Sequence, residues 1–435
     1  KFIFTCDPVT ARDYDDAISL EKAAGGKLVL GVHIADVSHY VRPGTALDRE
    51  AYKRSTSVYF ADRVVPMLPE ELSNGVCSLV PGEDRYAFSV FMTFDAKGEM
   101  VKRTFAKSVI RSQARFTYEE VMRVISSHSR SSGHFGISRT SREAKTILAV
   151  SALAQKLRAR RFAAGALDLE MPEAEVLLDA EGEMSGIVTR PYDESHQMIE
   201  ECMVAANGAV AQELWTRGVR FLTRLHETPD PEKLLTLRAE LRGLGIKVGD
   251  LENPKVFAQF LQTIKKSPLY PTLAMMVLRS MKRAVYDARV IGHFGLAKRH
   301  YAHFTSPIRR YPDLTLHRQL AAYLDGRGGE TPPPQRDGRV GAGASRPRIS
   351  PKVPPKLLAR WAEHTSEREE IAAEAERGLL EIKKYRLLEQ ELSNAMSGSK
   401  SQANGRERRE LRVYDAVISK CMPFGCFVEI PELAV

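Results

Sequence analysis

The chain has 435 residues, 43% of them hydrophobic, and its 64 Lys and Arg against 55 Asp and Glu leave a net charge of +9. That is enough for one large domain or two to three ordinary ones, and the apolar fraction excludes global disorder. No apolar run reaches the roughly 18 to 20 residues of a bilayer span, and the five scattered cysteines, without a Cys-x-x-Cys pair, read as reduced core or near-core residues and argue against structural zinc.

Lys1-Phe2-Ile3-Phe4-Thr5 reads as a strand rather than a secretory leader. The expectation is a cytoplasmic, membrane-free protein, and a piece of a longer chain. Strand and turn texture runs to about Gly136. Leu28 to Ile34 follows the hairpin signal Gly25-Gly26, and Ala87 to Phe94 precedes the turn Asp95-Ala96-Lys97-Gly98 and another strand from Met100. From Ser141 the texture turns helical. Ile199, Met203, Ala206, Val210 and Leu214 recur at the spacing of one helix face, with Glu200 on its flank. Residues 326–355 hold seven Pro and six Gly among 30 and read as an exposed insertion or linker. Lys356 to Glu391 predicts one or two long helices, Ser393 to Arg409 a polar loop, and Leu411–Ile418 and Gly425–Ile430 two strands. Two strands are too few for an independent domain.

Two stretches carry chemistry. Asp7-Pro8-Val9-Thr10-Ala11-Arg12-Asp13-Tyr14-Asp15-Asp16 sets four carboxylates within ten residues. Two carboxylates near 4 Å repel by about 4 kcal/mol at an effective dielectric of 20, so a folded cluster needs protonation, separation or a cation. In an extended chain Asp13 and Asp15 share one face, Pro8 lets Asp7 approach, and Asp16 joins only if the strand ends or bulges there. Oxygen ligands suit Mg²⁺ or Mn²⁺. A solvated acidic loop remains the alternative, and an EF-hand is excluded because its Gly and final Glu are missing. The second stretch, Arg279 to Arg318, holds nine Lys and Arg against two Asp. Within it, Ser306-Pro307 fits an N-cap and first helical turn, where backbone N–H groups and Arg309 and Arg310 converge on an anion. His300 and His303 lack a third ligand and read as packing or hydrogen-bonding residues.

An acidic Mg²⁺-type cluster beside a phosphate-binding turn suggests metal-dependent phosphoryl transfer on a polyanion. With these blocks in order, together with His33 to Val41, Thr56-Ser57-Val58-Tyr59, Val64 to Pro69, His196 to Glu201 and His293 to Leu314, the chain closely resembles the ribonuclease II / ribonuclease R family of exoribonucleases. The resemblance implies an α+β fold: an RNB catalytic domain with a mixed or antiparallel sheet, packed by helices around a channel for single-stranded RNA. It divides the chain into that domain at 1–325, the insertion at 326–355, further catalytic-domain helices at 356–396, and at 411–435 the start of an S1-type OB-fold. It implies processive 3′-to-5′ hydrolysis of single-stranded RNA to nucleoside 5′-monophosphates, by a monomer.

In the same resemblance Asp7, Asp13, Asp15 and Asp16 surround Mg²⁺, with Mn²⁺ able to substitute, and Asp15 is the least dispensable. Arg309 contacts the scissile phosphate, and Arg310 lies beside the RNA. Tyr59 positions the 3′-terminal nucleotide, while Tyr118 and Glu200 line the RNA path. On the residues alone, Tyr59 reads equally as a packed strand aromatic, Tyr118 as a helix-start residue and Glu200 as a solvated flank. Leu169 stands where many members carry an aromatic that clamps terminal bases. That loss, about 1–3 kcal/mol per base, leaves the limit-product length open. A catalytically inactive RNA-binding relative is the rival reading, and phosphorolysis a weaker one.

Overall fold

Alternation of large and small apolar residues along the first strands sets up a sheet buried on two faces. The computed structural model describes residues 1–435 except 127–140, 170–172, 180–183, 191, 268, 327–352, 398–412 and 431–435. The chain begins with β1 (Ile3–Cys6), β2 (Asp16–Ala23) and β3 (Lys27–Ala35), followed by α1 (Val37–Tyr40), α2 (Ala46–Arg54) and the short pair β4 (Val58–Tyr59) and β5 (Val64–Val65). Two long strands, β6 (Asp84–Phe94) and β7 (Met100–Arg111), and a short one, β8 (Ala114–Phe116), complete a six-stranded sheet of order β7-β6-β3-β2-β1-β8. All its pairs are antiparallel except β1 with β8. The Gly25-Gly26 and Asp95–Gly98 turns join the hairpins expected of them.

Phe4, Ile18, Ile34 and Phe88 point into one core, while their neighbours Ile3, Ala17, Ala35 and Ala87 point into another, as the two-residue strand period requires. The first core is closed by α3 (Tyr118–Ser126), α4 (Arg142–Ala163) and, after the hairpin β9 (Glu173–Leu178) and β10 (Met184–Arg190), α5 (Glu194–Thr216). The Ile199-to-Leu214 face of α5 lies on the sheet, each large buried side chain contributing about 1.5–3 kcal/mol. The second core brings Ile308, Tyr311 and Leu314 against Val37, Ala51, Met67 and Leu79.

Then come β11 (Thr223–Leu225), α6 (Pro231–Gly243), α7 (Pro254–Ile264), α8 (Tyr270–Ser280), β12 (Val285–Asp287) and α9 (Tyr311–Gly326). Helices α6 to α8 form a third core that also takes Leu167 and Leu169. The 43-residue α10 (Pro355–Ser397) lies against β12 and β4, and β13 (Val417–Met422) with β14 (Gly425–Glu429) form one antiparallel hairpin. Among the described residues no helix is long and apolar enough to cross a membrane.

The α+β class is as expected, with local departures. Helices α2 and α3 interrupt the stretch read as strand and turn. The signal for α3 is a reciprocal cap in which Glu120 N–H donates to Thr117 Oγ1 (3.2 Å) and Thr117 N–H to Glu120 Oε2 (2.8 Å). Helix α10 runs on through Ser397, past the loop expected from Ser393. The first C-terminal strand begins at Val417 rather than Leu411, and the stretch 411–412 and most of the 326–355 insertion lie outside the described residues.

Candidate active site

The acidic segment leaves the sheet at one strand end and re-enters it at the next. Asp7 follows β1 and is fixed by its N–H to the Phe116 carbonyl (3.1 Å). The Pro8 and Val9 carbonyls accept from Arg115 Nη2 at 2.8 and 3.0 Å. The buried Ser78 hydroxyl donates to the Arg12 carbonyl (2.7 Å) and accepts from Tyr14 N–H (3.0 Å). Asp13 and Asp15 therefore lie in the loop between β1 and β2, and β2 begins at Asp16, opposite Ile34.

A turn from the other end of the chain faces this loop. Ser306 accepts the Arg310 N–H at 3.0 Å, but the helix starts at Tyr311, later than the Ser306 cap implied. Ser57 N–H donates to the Arg309 carbonyl (3.0 Å), which ties the turn to the segment leading into Tyr59. Ile308 N–H then donates to Asp15 Oδ1 at 3.0 Å, and Arg309 Nε lies 3.7 Å from Asp15 Oδ2. Arg309 Nη2 also donates to Ser306 Oγ (3.2 Å), and its side chain stays 45% exposed. The Tyr59 hydroxyl donates to Asp13 Oδ2 (3.2 Å), and its N–H donates to Glu376 of α10 (2.7 Å). Asp7, Asp13, Asp15, Asp16, Tyr59 and Arg309 are thus gathered into one place.

The cluster is electrostatically incomplete. Among the described residues, Asp7 Oδ2 and Asp15 Oδ2 are buried without a hydrogen-bond partner. Burial, reinforced by the Asp16 charge, pushes the Asp7 carboxyl up to about 8. Burial likewise raises Asp15, against Arg309 and the Ile308 N–H, and takes Asp16 to about 6 despite Arg309. Carboxyls raised by desolvation and mutual repulsion are short of positive charge. Among the described residues no three His, Cys, Asp or Glu side chains converge closely enough to hold a metal ion by themselves. Magnesium is held through one or two carboxylates and completes its shell with waters and substrate phosphate oxygens. Hard oxygen donors, two of them orphaned, suit that mode of binding, and the residues fit the ion.

The remaining candidates divide. Arg310 sends Nε and Nη2 to the two oxygens of Asp313 (2.9 and 2.8 Å), and Asp313 also accepts the Ser306 N–H (2.9 Å). Its fork therefore braces the turn. Tyr118 stacks on His196 of α5, ring centroids 3.9 Å apart. Glu200 accepts from Tyr192 OH and from Arg161 Nη2 (3.2 Å), while Arg161 Nε donates to Glu201 (2.9 Å). Glu200 is thus tethered rather than solvated, and Leu169 packs at the edge of the third core. Arg161, Glu201, His196 and Asp313 were not foreseen as site residues. Contacts across 39 or 40 positions, such as those of Arg161, leave no local spacing to read. His303 bonds the Tyr286 hydroxyl (2.9 Å) and His300 lies by Trp215, so neither forms a metal pair.

An α+β scaffold that gathers four aspartates at a sheet end, Asp15 buried and the other three half-buried, with a half-free arginine opposite, has the oxygen-donor chemistry that hard-cation sites for phosphoryl groups use. The model of the RNB domain matches residues 1–326, and the chain belongs to the RNB-domain family. It is 41% identical over 438 residues to ribonuclease R of Thermotoga maritima, covering 100% of this chain and 56% of the relative. The chain spans about half the length of the curated relatives it matches. Its fold superposes on Mycoplasma genitalium RNase R in complex with ribose-methylated single-stranded RNA, with a TM-score of 0.81, 28% identity, and coverage of 100% of this chain and 62% of that one. Yeast Ssd1, a pseudonuclease, shares the fold at a TM-score of 0.68 and 21% identity over 91% of this chain and 45% of its own.

Proposed function

We propose that the chain carries the catalytic chemistry of a processive 3′-to-5′ exoribonuclease, which hydrolyses single-stranded RNA with a free 3′ end to nucleoside 5′-monophosphates in the cytoplasm, as a monomer. The observation that carries the reading is the pair of orphaned oxygens on Asp7 and Asp15 opposite the half-exposed Arg309. Family membership and the RNA-bound neighbour support it.

Asp7, Asp13, Asp15 and Asp16 would hold Mg²⁺, or Mn²⁺ in its place, which when bound supplies an ionised water and neutralises phosphate charge. The chain's own residues do the rest. Arg309, anchored at Ser306 and free at its outer face, places a fixed cation where charge builds on the scissile phosphate. Tyr59, pinned at its hydroxyl by Asp13 and at its N–H by Glu376, offers its ring to the terminal nucleotide. Glu200, oriented by Arg161 and Tyr192, offers an acceptor to a ribose 2′-hydroxyl, and Tyr118, fixed by His196, lines the same path. Arg310 serves the RNA indirectly by holding the turn in shape. Leu169 offers an aliphatic wall in place of a stacking ring.

The test is end-labelled poly(A) with Mg²⁺ and no phosphate, comparing the chain with Asp15→Asn. Monophosphates from the unmodified chain alone are expected. RNA binding without cleavage would establish an RNA-binding relative instead, and nucleoside diphosphates formed only with added phosphate would establish phosphorolysis.

A further inference from the structure

Apart from the aspartate cluster, the molecule has a cavity of about 470 Å³ bounded by Ile291 to Phe294, by Ala297 and Lys298, by His226 to Thr228, and by Ala164 and Pro254. That volume lies in the roughly 300–1,000 Å³ range of small-molecule sites. Its wall is a tightly wound loop. His293 N–H donates to the Lys298 carbonyl (2.7 Å), and Lys298 N–H returns to the His293 carbonyl (3.2 Å). At Gly292, with φ +101°, a Cβ would sit 2.9 Å from the Lys298 carbonyl. Ala297 is left-handed at φ 50° and ψ 40°, a conformation that costs a residue with a Cβ about 1–2 kcal/mol. Strain retained at a concave surface calls for a functional explanation.

The loop presents donors. Lys298 is half-buried, and among the described residues its ammonium has neither a hydrogen bond nor an ion pair. His293 accepts the Leu296 N–H at Nδ1 (3.2 Å), which leaves the proton on Nε2, facing no protein acceptor among the described residues. His226 is fully engaged, with Gly295 N–H on Nδ1 (3.0 Å) and Nε2 donating to the Lys282 carbonyl (2.8 Å). The Glu227 carboxylate is already held by Lys282 at 2.5 Å and Arg289 at 3.6 Å. What remains is an unpaired cation and an imidazole N–H beside the apolar Phe294 and Ile291. Burial lowers the Lys298 ammonium from its ordinary value, and the nearby Glu201 charge opposes that. Lys298 therefore lies within electrostatic reach of the Arg161–Glu201 pair, whose neighbour Glu200 belongs to the proposed RNA path.

We propose that this cavity binds a phosphomonoester, the phosphate at Lys298 and His293 and a flat apolar group against Phe294, and that its occupant is the nucleoside 5′-monophosphate product held before release. The identity of the occupant rests on the exoribonuclease reading; the chemistry of the cavity does not. Calorimetric titration of the full chain in EDTA, which leaves the aspartates no cation, with AMP, adenosine and inorganic phosphate tests it. AMP should bind more tightly than either part. Lys298→Met should weaken AMP by about ten- to a hundredfold, and Ile291→Glu, a change at an exposed rim position that puts an anion by the mouth, should weaken it without disturbing the melting temperature. No AMP binding, or binding that neither variant changes, overturns the proposal. Phosphate bound as tightly as AMP overturns the nucleotide as occupant. Cleavage of poly(A) without AMP binding overturns the cavity assignment alone. AMP binding without cleavage supports the phosphomonoester site and overturns the exoribonuclease reading.

Discussion

Buried carboxylates occur in two neighbouring parts of the molecule and are treated in opposite ways. On α5 the Glu201 side chain is 2% exposed and is matched by Arg161, itself 5% exposed, so charge is balanced within the chain. At the sheet end, Asp7 and Asp15 each keep an oxygen with no hydrogen bond among the described residues, Asp15 facing only the more distant Arg309, and burial raises both carboxyls. A closed pair holds scaffold together, and breaking it strands a charge. An open cluster is stabilised by retained protons or by charge from outside. The adjacent arginines repeat the contrast: Arg310 is committed to Asp313, whereas Arg309 keeps an exposed face.

The sharpest way to break this contrast is to remove one member from each side. Asp15→Asn keeps the acceptor for Ile308 N–H but loses a full charge, so poly(A) turnover should fall by about 10³-fold while the urea midpoint stays within error. Arg161→Ala should instead destabilise by about 3–5 kcal/mol, read in the same urea titration, because Glu201 is left buried and unpaired. Equal effects of the two on stability would erase the distinction.

Arg309→Ala should cost about 10²-fold in turnover with little effect on stability, and Arg310→Ala the reverse, about 3 kcal/mol, since Asp313 is buried. Thermal melts in addition to rates separate them.

Without a divalent cation, folded Asp7 keeps a proton that the unfolded chain releases near pH 4. Stability should therefore be highest below about pH 4 and decline as pH rises toward about 8, by up to about 1.4 kcal/mol per pH unit for each such proton. Melts in EDTA at pH 5 and 8 should show the decline, with Mg²⁺ and Asp7→Asn each reducing it. A pH-independent midpoint in EDTA would mean that the cluster is not short of charge.

The smallest effect belongs to Tyr59→Phe, which keeps the ring and loses the bond to Asp13. About 1 kcal/mol, or five- to tenfold in affinity for a short oligonucleotide, is expected.

The hairpins, the α5 face and the aspartate motif were legible because each is written in local spacing. Asp7 to Asp16 run from the end of β1 to the start of β2, so the local spacing alone posed the choice between protonation, separation and a cation. The difference between Arg309 and Arg310 was not legible, because adjacent residues share every local signal and only the position of Asp313 decides between them. That Asp13 and Asp15 stand in the loop before β2 was not legible for a related reason. Arg115 and Ser78, far along the chain, fold that segment through its carbonyls. Helix α3 was legible in principle through Thr117 and Glu120, but the surrounding strand texture hid it.

The bond from Ile308 N–H to Asp15 joins positions 293 apart. At a synthesis rate of about 5–20 residues per second, the arginine-bearing turn is made roughly 15 to 60 s after the aspartates. Throughout that interval a growing chain has only the acidic half of the site, unbraced and without its fixed cation. On the proposed function, that order leaves the message encoding the protein next to an unfinished centre.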